Sequence, residues 1–239
     1  LNTDAWKTLI YQTRCYLRHQ AEIYGDEIFV KEAGALDSPR ESNNASVLDL
    51  YKKQIQNCQK CSLAHHRRHF VFGAGNPEAR LILIGEAPGE EEDRVGEPFV
   101  GKAGQLLDRI LAAIDFERDE VFIANILKCR PPQNRDPMEE EIRQCMPHLL
   151  GQIEIIRPRI ILTLGRVAAQ GLLATSESLT RLRGREHCFH NIPMLVTYHP
   201  AALLRNPEWK RHTWEDVKQL RYMYDDLIGD KPKWQPPRM

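Results

Sequence analysis

Four cysteines and one crowded acidic loop carry most of the chemistry this chain can offer. Cys58 and Cys61 form a C-x2-C pair, and Cys129 and Cys145 follow as C-x15-C. Four thiolates suit a tetrahedral zinc or a [4Fe-4S] cluster, and spacing alone does not choose between them. One C-x2-C pair is also compatible with unrelated buried cysteines. Cys15 and Cys188 stand alone and read as small apolar side chains. The loop is GEAPGEEED, residues 85–93, between an apolar run and an amphipathic pattern. That is the outline of a phosphate cradle, yet neither G-x-x-x-x-G-K-[ST] nor G-x-G-x-x-G is present. Glu86, Glu90, Glu91, Glu92 and Asp93 would repel a phosphate. They suit a cation, or a transition state that becomes positive, such as the oxocarbenium-like sugar of glycosidic cleavage. Glu90 and Glu91 read as a solvated helix start.

Other residues could serve the same chemistry, each with a plainer alternative. Phe99 sits in GEPFVG, a setting able to present a flat ring, although a lone Phe is usually core. Asn125 closes an apolar run. Its amide offers a donor and an acceptor, which match the O4/N3–H edge of uracil and mismatch cytosine; a turn or cap role fits equally. His199 precedes Pro200 and can donate to an anion developing on a leaving base, where a structural role is the commoner one. Basic stretches at 65–69, 129–135, 181–185 and 203–212 are candidate grips on DNA phosphates, and ordinary solvated charge accounts for about half of them.

These residues need a scaffold, and its pattern is legible. From about Arg80, short apolar runs at 80–85, 120–125, 159–165 and 192–199 alternate with helical patterns at 102–114, 138–156 and 166–173. A last helix is expected over about 208–228, and LRGREHCFHN is read as a possible hairpin before the fourth run. Such alternation implies a parallel sheet with helices on both faces, binding ligands beyond the carboxyl ends of its strands. Gly85-Glu86, Asn125, Gly165 and His199 stand at those ends. Before this region, Asp4 to Tyr24 shows helical spacing, and Gly34 to Ser46 reads as a linker. A helix capped by Ser46 is expected to run until just before Cys58. The expected organisation is a helical extension and linker over 1–45, an α/β domain over 46–228 and a tail over 229–239.

Bulk composition narrows the partners. Lys plus Arg and Asp plus Glu are both 33, so formal charge is zero and any nucleic-acid site must be a local patch. No apolar run approaches the ~20 residues of a membrane span, and the first residues lack a secretory pattern. The expected compartment is the reducing cytoplasm, where six cysteines favour metal chemistry over disulfides.

Together, GEAPGEEEDRVGEPFVGKAGQLLDRIL, NILKCRPPQNRDP and TYHPAALLRNP resemble the three motif regions of family 4, iron–sulfur, uracil-DNA glycosylases. Cys58, Cys61, Cys129 and Cys145 are similar in order and spacing to that family's cluster ligands. The resemblance covers roughly Ser46 to Ile228. It implies a three-layer α/β/α sandwich with a four-stranded, mainly parallel sheet, a structural [4Fe-4S] cluster, and hydrolysis of deoxyuridine in DNA to uracil and an abasic site. It implies that Glu86 orients water and stabilises the sugar cation, with Glu92 the second choice. Phe99 would stack on uracil, Asn125 would read its edge, backbone N–H groups at Ala87 and Gly89 would hold its oxygens, and His199 would stabilise the uracil anion. Leu203, Leu204 and Arg205 would form a wedge entering the DNA stack. The enzyme is expected to be a monomer acting on single- or double-stranded DNA, dispersed with the nucleoid, with the extension a packing element or a contact for a protein partner. The region after Asn125 lacks the inserted histidine loop of a covalently trapping relative, so turnover is expected. A non-catalytic iron–sulfur DNA-binding or electron-transfer protein on the same fold is the alternative.

Overall fold

The computed structural model describes Thr13 and residues 43–236. The expected N-terminal helix and most of the linker therefore lie outside the described residues.

Every residue of β2 (Leu81–Gly85) and β4 (Ile160–Leu164) is buried, as is every residue of β3 (Phe122–Asn125). Such continuous burial needs cover on both faces, the habit of parallel strands. β6 (Ile192–Thr197) completes the parallel set, in which β2 pairs with β3 and β4, and β4 pairs with β6. Side chains alternate along these strands. Ile82, Ile84, Phe122, Ala124, Ile161 and Val196 join one core with Leu48, Leu149, Ile153 and Ala168. Leu81, Leu83, Ile123, Ile160, Leu162 and Leu195 join the other with Leu107, Leu111, Val217 and Leu220. The first layer is α1 (Asn44–Ile55), α4 (Glu139–Ile156) and α5 (Arg166–Leu173). The opposite layer is α3 (Lys102–Ala112) and α8 (Lys210–Leu227). Short helices α2 (Glu90–Val95), α6 (Leu179–Leu182) and α7 (Pro200–Arg205) serve the loops.

The four expected strands form the centre, but among the described residues the sheet has six, ordered β1-β3-β2-β4-β6-β5. The two additions are antiparallel edges. β1 (Ala74–Gly75) is two residues long, too short for a readable alternation. β5 (His187–Phe189) forms the hairpin with β6, across His190 and Asn191, both at positive φ as a tight two-residue turn demands. α1 begins at Asn44, ahead of the expected cap at Ser46; Asn44 Nδ2 reaches the Pro77 carbonyl at 3.3 Å and Glu78 Oε2 at 3.0 Å. The expected tail packs as far as it is described. Trp234 is buried, its N–H donates to Asp225 Oδ2 at 3.0 Å, and Lys231 pairs with Glu120.

One buried ion pair fastens the end of β6. Asp216 on α8 accepts from Arg183 Nε and Nη2, each at 2.8 Å, and from Thr197 Oγ1 at 2.6 Å. Asp216 and the Arg183 side chain are 3% and 11% exposed, so neither has much water to fall back on. Removing one partner strands the other, so Asp216→Ala is expected to cost about 3 kcal/mol in urea unfolding.

Candidate active site

The parallel strands deliver their last residues to one place. Gly85 and Asn125 are register partners at the ends of β2 and β3, and His199 caps α7 just beyond β6. Between them lies a cavity of about 340 Å³ lined by Glu86, Ala87, Gly89, Glu92, Phe99, Asn125, Asn134, Arg135, Asp136, His199 and Arg205. Its size falls in the range of small-molecule sites, about 300–1,000 Å³. All four side chains expected around a base, Glu86, Phe99, Asn125 and His199, line this one cavity.

Absent Cβ atoms allow the close approach. A Cβ on Gly85 would stand 2.3 Å from Asn125 Oδ1 and 2.7 Å from Phe99 Cζ. A Cβ on Gly104 would stand 1.8 Å from the Phe99 carbonyl oxygen, so only glycine lets α3 pass under that loop. Phe99 itself has φ 52°, a conformation a bulky residue adopts only when its surroundings impose it. Its ring is buried, with its centroid 5.3 Å from that of His199.

The imposing group is Glu92. Its Oε2 accepts from the Gly89 N–H at 3.1 Å, and its Oε1 accepts from the N–H groups of Val100 at 3.0 Å and Gly101 at 3.1 Å. One carboxylate thus ties the 86–89 loop to the segment following Phe99. This engagement corrects two expectations. Glu92 has both carboxylate oxygens engaged by backbone N–H groups, whereas Glu86 and Asp136 also line the cavity without that clamp. The Gly89 N–H is taken by Glu92, so it is not available to hold a ligand oxygen. Asp93, also in the acidic run, is buried and accepts from the Arg68 N–H at 2.9 Å and the His69 N–H at 3.3 Å. Glu90 and Glu91 are exposed, as expected. The G-x-x-E spacing of a capping box was the signal for Glu92; nothing local marked Asp93.

Loss of water shifts the titrating groups in opposite senses. Burial pushes the Glu86 carboxyl up to about 7, with Asp136 adding to the shift and Arg166 opposing it. Burial holds His199 down to about 4, with Arg205 adding and Glu92 opposing. His199 Nδ1 accepts from the Ala201 N–H at 3.1 Å, so the neutral ring carries its proton on Nε2. Asn125 is 2% exposed and its Oδ1 has no hydrogen-bond partner. An unsatisfied buried amide oxygen costs about 1–3 kcal/mol.

The four cysteines are free thiols, and Cys61, Cys129 and Cys145 pack into the core on one side of the sheet. Arg67 Nη1 donates to Cys129 Sγ at 3.1 Å, the Lys128 N–H donates to Cys145 Sγ at 3.3 Å, and His148 Nε2 lies 3.2 Å from Cys58 Sγ. Burial pushes the Cys129 thiol up, Arg67 opposes this, and charge on Cys61 and Cys58 adds to it, so the thiols feel one another. Among the described residues, no group of three or more His, Cys, Asp or Glu side chains stands ready for a single metal ion.

The expected wedge divides. Leu203 is fully buried, a placement that contributes about 1.5–3 kcal/mol. Leu204 is 43% exposed, and Arg205 is exposed at the cavity rim. Several expected phosphate grips are also engaged inside the protein. Arg67 braces Cys129, Arg183 pairs with Asp216, and Arg135 makes a two-pronged bond to buried Glu141 at 2.9 and 2.6 Å. Arg68, Lys210 and Arg211 remain exposed.

Residues 72–218 match the uracil DNA glycosylase superfamily. The chain is similar to the type-4 uracil-DNA glycosylase of Sulfurisphaera tokodaii, 42% identical over 201 residues that cover 77% of this chain and 91% of the relative. It is 45% identical over 194 residues to the type-4 uracil-DNA glycosylase of Saccharolobus solfataricus, covering 77% and 88%. Similarity to the type-5 uracil-DNA glycosylase of Thermus thermophilus is 34% over 119 residues, covering 44% and 54%.

If Glu92 holds the Phe99 loop, Glu92→Ala leaves three N–H groups without their acceptor. It is expected to lower unfolding free energy by about 2–3 kcal/mol, to be read by urea titration. A stability within 0.5 kcal/mol of the parent, on the order of a neutral surface change, would show that the clamp carries no weight.

Proposed function

Because this chain belongs to the type-4 uracil-DNA glycosylases of the uracil DNA glycosylase superfamily, we propose that it hydrolyses the N-glycosidic bond of deoxyuridine in DNA, releasing uracil and leaving an abasic site for base-excision repair. The observation that carries this reading is the partnerless Oδ1 of buried Asn125, placed in one cavity with Glu86, Phe99 and His199.

Uracil offers N3–H to Asn125 Oδ1 and O4 to the amide nitrogen; cytosine presents the reverse pattern and leaves both amide atoms opposed. The base must leave the stack to enter, and Phe99 supplies a ring face on which it rests. The C1′–N1 bond then breaks with its electron pair passing to the base, while positive charge builds on the sugar. The Nε2 proton of neutral His199 faces the charge growing at O2, an electrostatic contribution of about 3–4 kcal/mol in a dry site. Glu86, ionised, stabilises the sugar cation and orients a water. That water adds to C1′ and gives up a proton to the carboxylate; the uracil anion takes a proton from solvent as it departs, and Glu86 returns its proton to solvent. A desolvated carboxylate and an unsatisfied amide are costs with no use in a protein that only binds DNA, which favours an enzyme over the non-catalytic alternative.

Cys58, Cys61, Cys129 and Cys145 fit a [4Fe-4S] cluster. Four free thiols influence one another and two of them receive N–H···S bonds, a donor set that suits cluster sulfur ligation. When bound, the cluster supplies a structural cross-link between the 58–61 loop, the segment after β3 and α4. Leu204 is the proposed wedge, with Arg205 beside it for the flanking phosphate. We place the enzyme as a monomer on uracil-containing DNA in the cytoplasm. No helix among the described residues is long and apolar enough to cross a membrane.

A single U:G duplex treated with the protein and then with alkali is expected to break at the uracil, and an intact strand at excess enzyme would exclude the proposal. Glu86→Gln should lower the single-turnover rate by about 10²–10⁴-fold. The parent's rate should rise tenfold per pH unit below about 7 and level off above it, as the Glu86 carboxylate forms. Glu86→Gln should lose that limb, and His199 should add none above pH 5. The folded carboxyl titrates above its unfolded counterpart, so stability falls as pH rises through about 4.5 to 7. Glu86→Gln should therefore be more stable than the parent at pH 8, by about 1–2 kcal/mol given partial exposure. Asn125→Asp should lose uracil excision by about 10²-fold or more and gain activity on cytosine; retained uracil selectivity would refute the edge-reading role.

A further inference from the structure

Between the cysteines and the cavity lies a side chain that the proposed reaction does not use. Lys128 is fully buried, a rare state for a lysine. Its Nζ donates to the Asn125 backbone carbonyl at 2.8 Å and to Gln152 Oε1 at 2.6 Å. Gln152 is also fully buried, and its Nε2 donates to the Phe72 carbonyl at 2.8 Å. The Lys128 main chain is held at both of its polar groups. Its N–H reaches Cys145 Sγ at 3.3 Å, and its carbonyl accepts from the Val71 N–H at 2.8 Å.

The arrangement follows from helix and strand periods. Cys145 and Gln152 are seven residues apart on α4, so they share a face, and that face meets the segment after β3. Asn125 is the last residue of β3, and the peptide that follows it is held on its N–H side, where Ile126 donates to the Gly85 carbonyl at 3.0 Å. The Lys128 ammonium reaches back three residues and holds the carbonyl side of the same peptide. Turning the Asn125 peptide would swing the side-chain amide on the same Cα, and Oδ1 has no partner of its own to resist the swing.

We propose that Lys128 is a positioning residue for uracil recognition: by fastening the Asn125 carbonyl to Gln152 on the helix that carries Cys145, it sets the direction in which the Asn125 amide faces the cavity. This rests on the reading of Asn125 as the residue that meets the uracil edge. It also joins the cysteine site to the base pocket through one residue, since the Lys128 backbone N–H bonds Cys145 Sγ and its side-chain Nζ bonds the Asn125 carbonyl. A misplacement of about 1 Å at a reacting or recognising group is enough to cost on the order of 10²-fold in rate.

A double-mutant cycle on the holoprotein tests it, with single-turnover excision from a U:G duplex as readout. Lys128→Met keeps the length and fill of the side chain and removes its donors. In the parent background it should slow excision by about 10–100-fold. In an Asn125→Ala background it should slow excision by less than about twofold, because the group it aims is gone. Visible absorption of the purified protein and affinity for a uracil-free duplex should stay at parental levels in all four proteins. Equal losses in both backgrounds, a parental rate for Lys128→Met, or a loss that tracks the visible absorption would each overturn the inference. Should Lys128→Met not fold, Gln152→Met removes the acceptor that anchors the ammonium, and the same comparison decides. A parent protein that leaves uracil in place would instead sink the glycosylase reading, and the two failures are thereby separable.

Discussion

Exclusion of water from the carboxyl ends of β2, β3 and β6 is the constraint on which the site depends. It raises the Glu86 carboxyl, keeps the His199 ring neutral and leaves the Asn125 amide oxygen without a partner. Each of these is unfavourable in a folded protein taken alone. In the proposed reaction they would match the charge pattern of a breaking glycosidic bond, with a donor where the base becomes negative and a carboxylate where the sugar becomes positive. A pocket matched to such a short-lived distribution of charge is what differential stabilisation of a transition state requires.

Holding such a pocket open needs groups that are firmly fixed and spaces that are firmly empty. Glu92 supplies the first by accepting from three backbone N–H groups on two loops. Gly85 and Gly104 supply the second, since a single added carbon at either would collide with Asn125, Phe99 or its carbonyl. Phe99 then occupies a backbone conformation it would not choose in isolation, and the surrounding contacts determine it. The Arg183–Asp216–Thr197 linkage does for the end of β6 what Glu92 does for the end of β2.

Much of this was legible in the chain. Four apolar runs separated by helical periods gave the parallel core, because strands covered on both faces show little alternation and stand out as blocks. The residues round the cavity were found because parallel strands bring their ends together whatever the loop lengths. The edge strands were harder, since two residues at β1 carry no period. The phase of α7 was also hidden: LLR offers two leucines, and only the packing decides that Leu203 turns inward and Leu204 outward. Charge was the least legible feature. A basic or acidic run names its residues but not their partners, so Arg67, Arg135 and Arg183 lie in stretches that read as candidate phosphate grips while the fold bonds them internally, and Glu92, the second choice after Glu86 for orienting water, clamps two loops.

The two ends of the described domain share a location. Asn44 is bonded beside Glu78, just ahead of β2, and Lys231 pairs with Glu120, just ahead of β3. Both lie where the parallel strands begin, a strand's length of about 17 Å from where they finish. The two ends of the described domain thus stand on the pole opposite the cavity, which leaves the mouth of the cavity to the loops that follow the strands.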